Sequence, residues 1–551
     1  MYRAEELDVE RDAKPHLGWV RAHADLLLFG LGVLACCGWV LSLPVFPSED
    51  GPVHVYYATV MAKLLSGAHG PLPEAFRMRH LLPPYSLYYY MLIVLLKFFP
   101  AVLVEQIMVS ITIAILAAGF RRMCVAAGPN GRWTAFLVLP LLLNWPLFMG
   151  FQNYCLSIGL CFWAVGTWLE RRRFRRAVFL CLVVLVVLTH PVPLLSLAAI
   201  CGIDLVGRWM RRPAAEEDRT NSAAEWRRDL LTLGCACACM SYVLLFTQTN
   251  KVRENLLVHV HPMMAVMKYS TLYGLGLFAR ASAATLVYTA LLFATLLVAL
   301  IFAARAFFDR GRDIKWRPAD SLLFATLALV VVLPFLPDTM NGGFYFNTRF
   351  LILVWCGAIA AASGGPLIAP RLSVLFPAMG CAVLAYTLIL AQVRIAPEAR
   401  RAAEAERAPI VHTDENVILL PASDYEADPK LRFRPLEWSA VRYFRRAGDV
   451  MLDAPFLDMA TMPIDTREPQ LEGTVVPGAT NDLKDLLDRS KRDPQWAKVL
   501  FRKADLIVFR DSFHMSSTAA AQQMLREAGR SEMKCAQRDW LYFCRAKALK
   551  P

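Results

Sequence analysis

Apolar runs as long as a lipid bilayer is thick recur along this chain, and that feature alone dictates a helical membrane protein. The first extends from Leu26 to about Phe46 and is followed at once by a polar turn. About 20 apolar residues suffice to cross the hydrocarbon layer as a helix. Lipid offers no partner to backbone N–H and C=O groups, so such segments must pair their own. The composition agrees, with 56% hydrophobic and only 19% charged residues among 551. The Leu26–Phe46 run exceeds a signal-peptide core, and no small-residue cleavage site precedes Glu49, so this first span is expected to remain.

Setting apolar runs against basic loops predicts spans near 25–45, within 84–120, then 133–149, 152–169, 174–190, 192–209, 229–247, 283–304, 320–336, 349–365 and 372–393. This gives about 11 spans. Of 59 Lys/Arg and 46 Asp/Glu, 24 and 23 fall from residue 401 onward, leaving 35 against 23 in the membrane part. The excess lies in short loops at Arg171–Arg176, Arg208–Arg228, Arg305–Arg317 and Arg371, which share a side with the N-terminal Arg3, Arg11, Lys14 and Arg21. Those loops are expected on the cytoplasmic side, and the absence of a basic, aromatic-interleaved face excludes a nucleic-acid partner. The stretch 84–120 is long enough for two spans, but two would move the arginine-rich loops outward. One span plus an interfacial or re-entrant piece around Tyr85–Phe99 keeps the charge rule; a thirteen-span alternative, with a further span near Met263–Phe278, exports the Arg171–Arg176 cluster.

The transmembrane domain is thus expected over 25–395, with an outer loop at 46–83. Alanine-, glutamate- and arginine-rich residues 396–414 read as a helical linker. From 415 to 551 short apolar runs at Val417–Leu420 and Leu506–Phe509, with helical patterns at Ser439–Arg446 and Ser517–Ala528, predict a small soluble α/β domain on the outer side. It contains no P-loop, GxGxxG or GxSxG pattern, so a supporting or acceptor-recognition role is expected of it. Most of the 14 cysteines lie in apolar spans, where the thiol behaves as a small hydrophobe. Cys235, Cys237 and Cys239 scatter around a helix and are expected in the core. Cys535 and Cys544 bracket a hairpin that an oxidising compartment could close with a disulfide.

Chemistry concentrates at Ser48-Glu49-Asp50-Gly51-Pro52-Val53-His54. Carboxylates beside the hydrocarbon boundary are costly to desolvate and point to substrate or ion handling. Beyond them Val53, Tyr56, Tyr57, Val60, Met61, Leu64 and Leu65 recur at three- and four-residue steps, as in a helix lying in the membrane interface. Pro52 suits its first turn, and Asp50 stands where a cap belongs. Capping is one role for Asp50. The other is a general base or, with His54 four residues on, a carboxylate–imidazole pair able to hold a divalent metal. His190, in the turn Thr189-His190-Pro191-Val192-Pro193 between two short helices, either satisfies broken backbone or lines a sunken cavity. Arg349, after Asn341-Gly342-Gly343, either snorkels at the interface or holds a phosphate bidentately.

This combination resembles the GT-C superfamily of integral membrane glycosyltransferases. Pro47-Ser48-Glu49-Asp50-Gly51-Pro52-Val53-His54 is similar to the Asp-Gly-Pro-x-His form of uncharacterised bacterial members, and Asn153-Tyr154, Thr189-His190-Pro191 and Asn347-Thr348-Arg349-Phe350 follow in similar order over most of 20–395. The resemblance implies a polytopic enzyme of the bacterial cytoplasmic membrane. It implies a polyprenyl-phosphate sugar donor reached through the bilayer, a glycan, lipid or protein acceptor, and inverting displacement. On it Asp50 is the base with Glu49 in reserve, and His54, His190, Arg349 and Arg79 are substrate or phosphate contacts.

Two further groups have competing readings. His69, His80, Arg77 and Arg79 share the outer loop with Asp50 and either meet the phosphate or are solvated. His259 and His261 fall short of the three or four ligands a metal needs. A transporter or flippase of lipid-linked intermediates needs the same broken helices, yet few acidic residues lie at membrane depth. Glu105 and Asp204 are the clearest, and Arg208 sits four residues after Asp204. A non-catalytic scaffold of the same architecture is the third reading.

Overall fold

The computed structural model describes residues 23–170, 174–210, 216–249, 258–259, 275–279, 282–308, 316–339, 346–365, 374–407, 415–420, 431–433, 441–451, 463–466, 504–510, 522–523, 525–526, 529–538 and 541–545. Helices dominate: α1 (Ala24–Ser42), α2 (Gly51–Leu65), α3 (Ser86–Leu96), α4 (Ala101–Ala127), α5 (Gln152–Glu170), α6 (Arg175–Thr189) and α7 (Pro193–Met210). They continue with α8 (Glu216–Thr249), α9 (Ala283–Phe308), α10 (Pro318–Val332), α11 (Phe346–Ala361), α12 (Leu375–Arg394) and α13 (Ala396–Arg407). Among the described residues 7 helices are long and apolar enough to cross a membrane. Leu31 and Leu34 on α1, Leu231 and Leu245 on α8, and Ile389 and Val393 on α12 are exposed, forming an apolar outer surface suited to lipid.

At the centre α4 lies against α5. Gly119 faces the Gly159 carbonyl and Gly159 faces the Leu116 backbone, and a Cβ at either position has no room. Small residues at such crossings let helices approach where lipid gives no hydrophobic drive for association. The stretch 84–120 resolves into the short α3 and the long α4, joined through Pro100.

The segment expected as a helical span at 133–149 is broken. A turn of helix at Gly131–Thr134 passes into a 3-10 stretch, Ala135–Leu141, which contains Pro140, and a further turn follows at Trp145–Phe148. Proline removes the ladder donor and clashes with the preceding turn. Irregular backbone is tolerated at membrane depth only when enclosed by protein, and every residue of Ala135–Leu141 is buried.

The two ends of the bundle differ in chemistry. At one, Arg121 bonds Asp25, Arg122 bonds Glu170, and the buried Asp229 gathers Arg175, Arg176 and Arg208. Asp204 belongs to this network: it accepts from Arg208, from the Trp168 indole at 2.9 Å and from Ser321 at 3.2 Å. The other end carries the Ser48–His54 turn. Cys235 and Cys237 are exposed on α8, contrary to the expectation that they lie in the core. Alternation at i, i+2 turns part of the set outward on a helix that covers the bundle on one side.

In the C-terminal domain β2 (Asn416–Leu420), β3 (Val450–Met451), β5 (Leu506–Arg510), β6 (Lys534–Arg538) and β7 (Leu541–Arg545) form a five-stranded sheet in the order β3-β2-β5-β7-β6. The two apolar runs pair in parallel, Val417 opposite Leu506 through Leu420 opposite Phe509. Helix α14 (Val441–Ala447) matches most of the expected Ser439–Arg446; the expected helix at 517–528 falls largely outside the described residues. Cys535 stands opposite Cys544 on the β6–β7 hairpin, and the two are disulfide-bonded. Two strands, β1 (Phe76–Met78) and β4 (Ile464–Thr466), pair antiparallel and join the segment between α2 and α3 to this domain.

That junction corrects the reading of α2 as an interfacial helix. Val53, Tyr56, Tyr57, Val60 and Met61 are buried, and they share one core with Val417, Val441, Phe444, Val450 and Ile464. As far as Met61 the apolar stripe faces protein, while Leu65 at its end is exposed. Periodicity identifies a buried stripe but does not say whether lipid or another domain buries it.

Candidate functional site

The loop leaving α1 is strapped to the broken segment. The Glu49 N–H donates to the Phe148 carbonyl at 2.8 Å and the Asp50 N–H to the Met149 carbonyl at 3.2 Å. Gly150 follows with φ +88, and a Cβ there would meet the backbone and Cβ of Asp50. Only glycine meets both requirements, a left-handed backbone and this close approach.

Asp50 occupies the cap position of α2 but makes no side-chain cap hydrogen bond. Its carbonyl starts the helix, accepting from the Val53 and His54 N–H groups, and Pro52 occupies the first turn. The carboxylate is 9% exposed and lies within electrostatic reach of the Tyr89 hydroxyl and the Arg349 guanidinium. Of the two roles open to Asp50, the structure removes capping.

His54 lies one turn into α2, its Nδ1 2.9 Å from the Tyr89 hydroxyl, with Tyr88 edge-on at 5.8 Å. Burial pushes its pKa down to about 4, so the imidazole is neutral. Tyr88 donates to the fully buried Gln152, whose Nε2 has no hydrogen-bond partner. As to a metal, Asp50 and His54 supply two ligands of the three or four required, and His54 Nδ1 is engaged by Tyr89. Among the described residues no group of three or more His, Cys, Asp or Glu could hold an ion. Among the described residues the pair thus stands short of a full ligand set.

On the facing side His190 ends α6, and Pro191 and Pro193 start α7. Its Nε2 is 3.2 Å from an Arg349 terminal nitrogen, and its Nδ1 faces the Val192 N–H at 3.4 Å. A neutral imidazole has one acceptor and one donor. With Nδ1 accepting from Val192, His190 Nε2–H and the guanidinium are neighbouring donors, which an oxyanion seated beside the pair satisfies. Arg349 stacks on Phe151 at 4.0 Å, its Nε is buried without a hydrogen-bond partner, and Tyr154 donates to its carbonyl at 2.5 Å. Tyr85 meets His190 edge-on at 4.5 Å, and its backbone is left-handed (φ 77). Such a conformation costs a bulky residue on the order of 1–3 kcal/mol and persists where surroundings enforce it.

Asp50, His54, His190 and Arg349 are therefore linked through Tyr89, Tyr85 and the Asp50–Arg349 field. Arg79 stands just past β1, at the seam with the C-terminal domain, its N–H on the Pro463 carbonyl. His261 and the Asn341-Gly342-Gly343 turn lie outside the described residues, while His259 ends a short ladder with Pro337–Thr339. Sequence reasoning did not single out Gly150, Gln152, Tyr88 or Tyr89 as site residues. The tyrosine run before an apolar stretch was the available signal.

No protein-family model and no curated protein sequence matches this chain. Among solved structures, it is similar to the arabinofuranosyltransferase AftD from Mycobacteria, at 14% identity and a TM-score of 0.47, over 96% of this chain and 40% of that one. It is also similar to ArnT from Cupriavidus metallidurans in the apo state, at 15% identity and a TM-score of 0.44, over 97% of this chain and 99% of that one. The chain thus spans about two-fifths of the length of AftD.

Proposed function

We propose that this chain is a GT-C-type membrane glycosyltransferase that moves a sugar from a polyprenyl-phosphate donor to a glycan, lipid or protein acceptor at the outer face of the bacterial cytoplasmic membrane. The observation that carries the reading is Asp50: a buried carboxylate at a helix start that does not cap the helix and instead shares its field with Arg349. In the reaction Asp50 takes the proton of an acceptor hydroxyl, and the resulting oxygen attacks the anomeric carbon. The bond to the donor phosphate breaks with its electron pair on the phosphate oxygen, where Arg349 and His190 Nε2–H stabilise the charge. Glu49 is the reserve base, and Arg79 an outer contact for donor or acceptor. No metal is required by this scheme.

In this reading the charge rule puts the N-terminus and the arginine network on the cytoplasmic side, and about eleven passages, as expected from the sequence, would leave the Asp50 end and the C-terminal domain in the periplasm. The carrier reading finds less support. Glu105 and Asp204, the clearest acidic residues within the apolar stretches of the sequence, are both engaged by arginine.

The test is transfer of labelled sugar from a panel of polyprenyl-phosphate pentoses and hexoses by the full chain in nanodiscs. Turnover is expected in the wild type, with a loss of about 100-fold or more in Asp50→Asn at an unchanged unfolding midpoint. Undiminished turnover in Asp50→Asn, or vectorial lipid movement without transfer, rules the reading out.

A further inference from the structure

Behind the Asp50 turn lies a buried ion pair that neither the acid motif nor the phosphate contacts use. Glu105, in the first turns of α4, is fully buried, and its Oε2 is 2.6 Å from an Arg442 nitrogen. Arg442 belongs to α14 of the C-terminal domain and is itself only 4% exposed. The same Arg442 nitrogen donates to the Phe46 carbonyl at 2.8 Å, and the Ser48 hydroxyl donates to Glu105 Oε1 at 2.5 Å. Gly51 closes the cluster, because a Cβ there would strike both Ser48 Oγ and Glu105 Oε1. Residues 46, 48 and 51, on either side of Glu49 and Asp50, are thus held by one Glu–Arg pair whose cation comes from the far end of the chain.

The surrounding contacts have the same architecture. The Tyr56 hydroxyl donates to the Asp449 carbonyl at 3.0 Å just after α14, and the Trp145 indole donates to the Arg432 carbonyl at 2.6 Å. Phe148, whose carbonyl holds Glu49, lies between the rings of Phe46 and Phe433, each at 4.8 Å.

We infer that Arg442 is a positioning residue for Asp50: docking of α14 on Glu105 sets the Phe46–Gly51 turn and thereby aims the carboxylate. A buried charge stripped of its partner is strongly unfavourable, so the turn keeps its shape only while the C-terminal domain is seated. This gives that domain control over the reactive group without supplying a catalytic residue. An acceptor that moves α14 acts on Asp50 through Glu105. The inference rests on the reading of Asp50 as the base for its catalytic meaning, while its structural content stands apart from any activity.

The experiment compares Arg442→Met, Arg442→Lys and Glu105→Met/Arg442→Met in the full chain. The double variant leaves neither charge unpaired and preserves an apolar filling, so it is expected to fold even if Arg442→Met does not. Hydrogen exchange is read over 46–54 and, as a reference, over the hairpin around His190. Expected is at least tenfold faster exchange over 46–54 in the double variant, with the reference unchanged. Transfer is expected to show kcat lowered about tenfold at an unchanged donor KM, and Arg442→Lys to recover part of both. Unchanged protection over 46–54, or equal acceleration across the bundle, overturns the inference. If exchange behaves as expected and the wild type transfers no sugar, the positioning role survives and the glycosyltransferase reading falls.

Discussion

Gly150 and Asp50 lie so close that a single methyl group on Gly150 would occupy the space of the Asp50 backbone and Cβ. Gly150 also has φ +88. Gly150→Ala therefore incurs left-handed strain on the order of 1–3 kcal/mol and overpacking of about the same size. The expected result is a lowered unfolding midpoint and loss of transfer. Gly202→Ala, at a helical position with nothing within 4 Å, serves as the neutral comparison.

Arg349 and His190 are expected to act on the leaving phosphate, so their loss should appear in kcat more than in donor KM. Removal of one preorganised donor costs on the order of 10²–10³ in rate. Arg349→Gln is expected within that range. Arg349→Lys keeps the charge but loses the planar fork and the stacking on Phe151, and is expected to remain well below wild type. Steady-state kinetics with varied donor decide this; an effect confined to KM would remove both residues from the chemical step.

His54 makes stability depend on pH in a stated direction. Its folded pKa of about 4 lies below the ordinary value of 6.5, so between the two the unfolded chain binds more protons than the folded one. The contribution is fully present above pH 6.5 and is lost as pH falls toward 4. Unfolding midpoints between pH 7.5 and pH 4.5 are expected to fall more steeply for the wild type than for His54→Gln, which keeps an acceptor for the Tyr89 hydroxyl.

Asp229 has no part in the site, which makes it a control. It is fully buried and bonded by Arg175, Arg176 and Arg208. Asp229→Asn leaves these arginines without their counter-charge and is expected to destabilise by about 3–5 kcal/mol. Protein that remains folded should keep its per-molecule turnover, measured by active fraction against thermal inactivation.

What the sequence discloses and what it withholds follow one physical division. Asp50, Pro52 and the period of α2, the prolines around His190, and the apolar runs of β2 and β5 are local signals, each written within a few neighbouring residues. The break at Pro140 was equally local, yet hydropathy alone reads through it, because a buried irregular segment and a lipid-facing helix are both apolar. Long-range partners left no such mark. Arg442 meets the Phe46 carbonyl across 396 residues of sequence, and nothing near Val441–Ala447 distinguishes it from Arg445 or Arg446. The second apolar wall over α2 is hidden for the same reason.

The joining of α2 to the C-terminal sheet has a consequence for biosynthesis. Tyr56 waits for Asp449, 393 residues later, so a ribosome has delivered the whole helical bundle before the Ser48–His54 turn meets its final neighbours. Nascent chains arrested short of residue 442 would hold a membrane-embedded bundle with an unfinished mouth. Closure of that mouth therefore waits for α14.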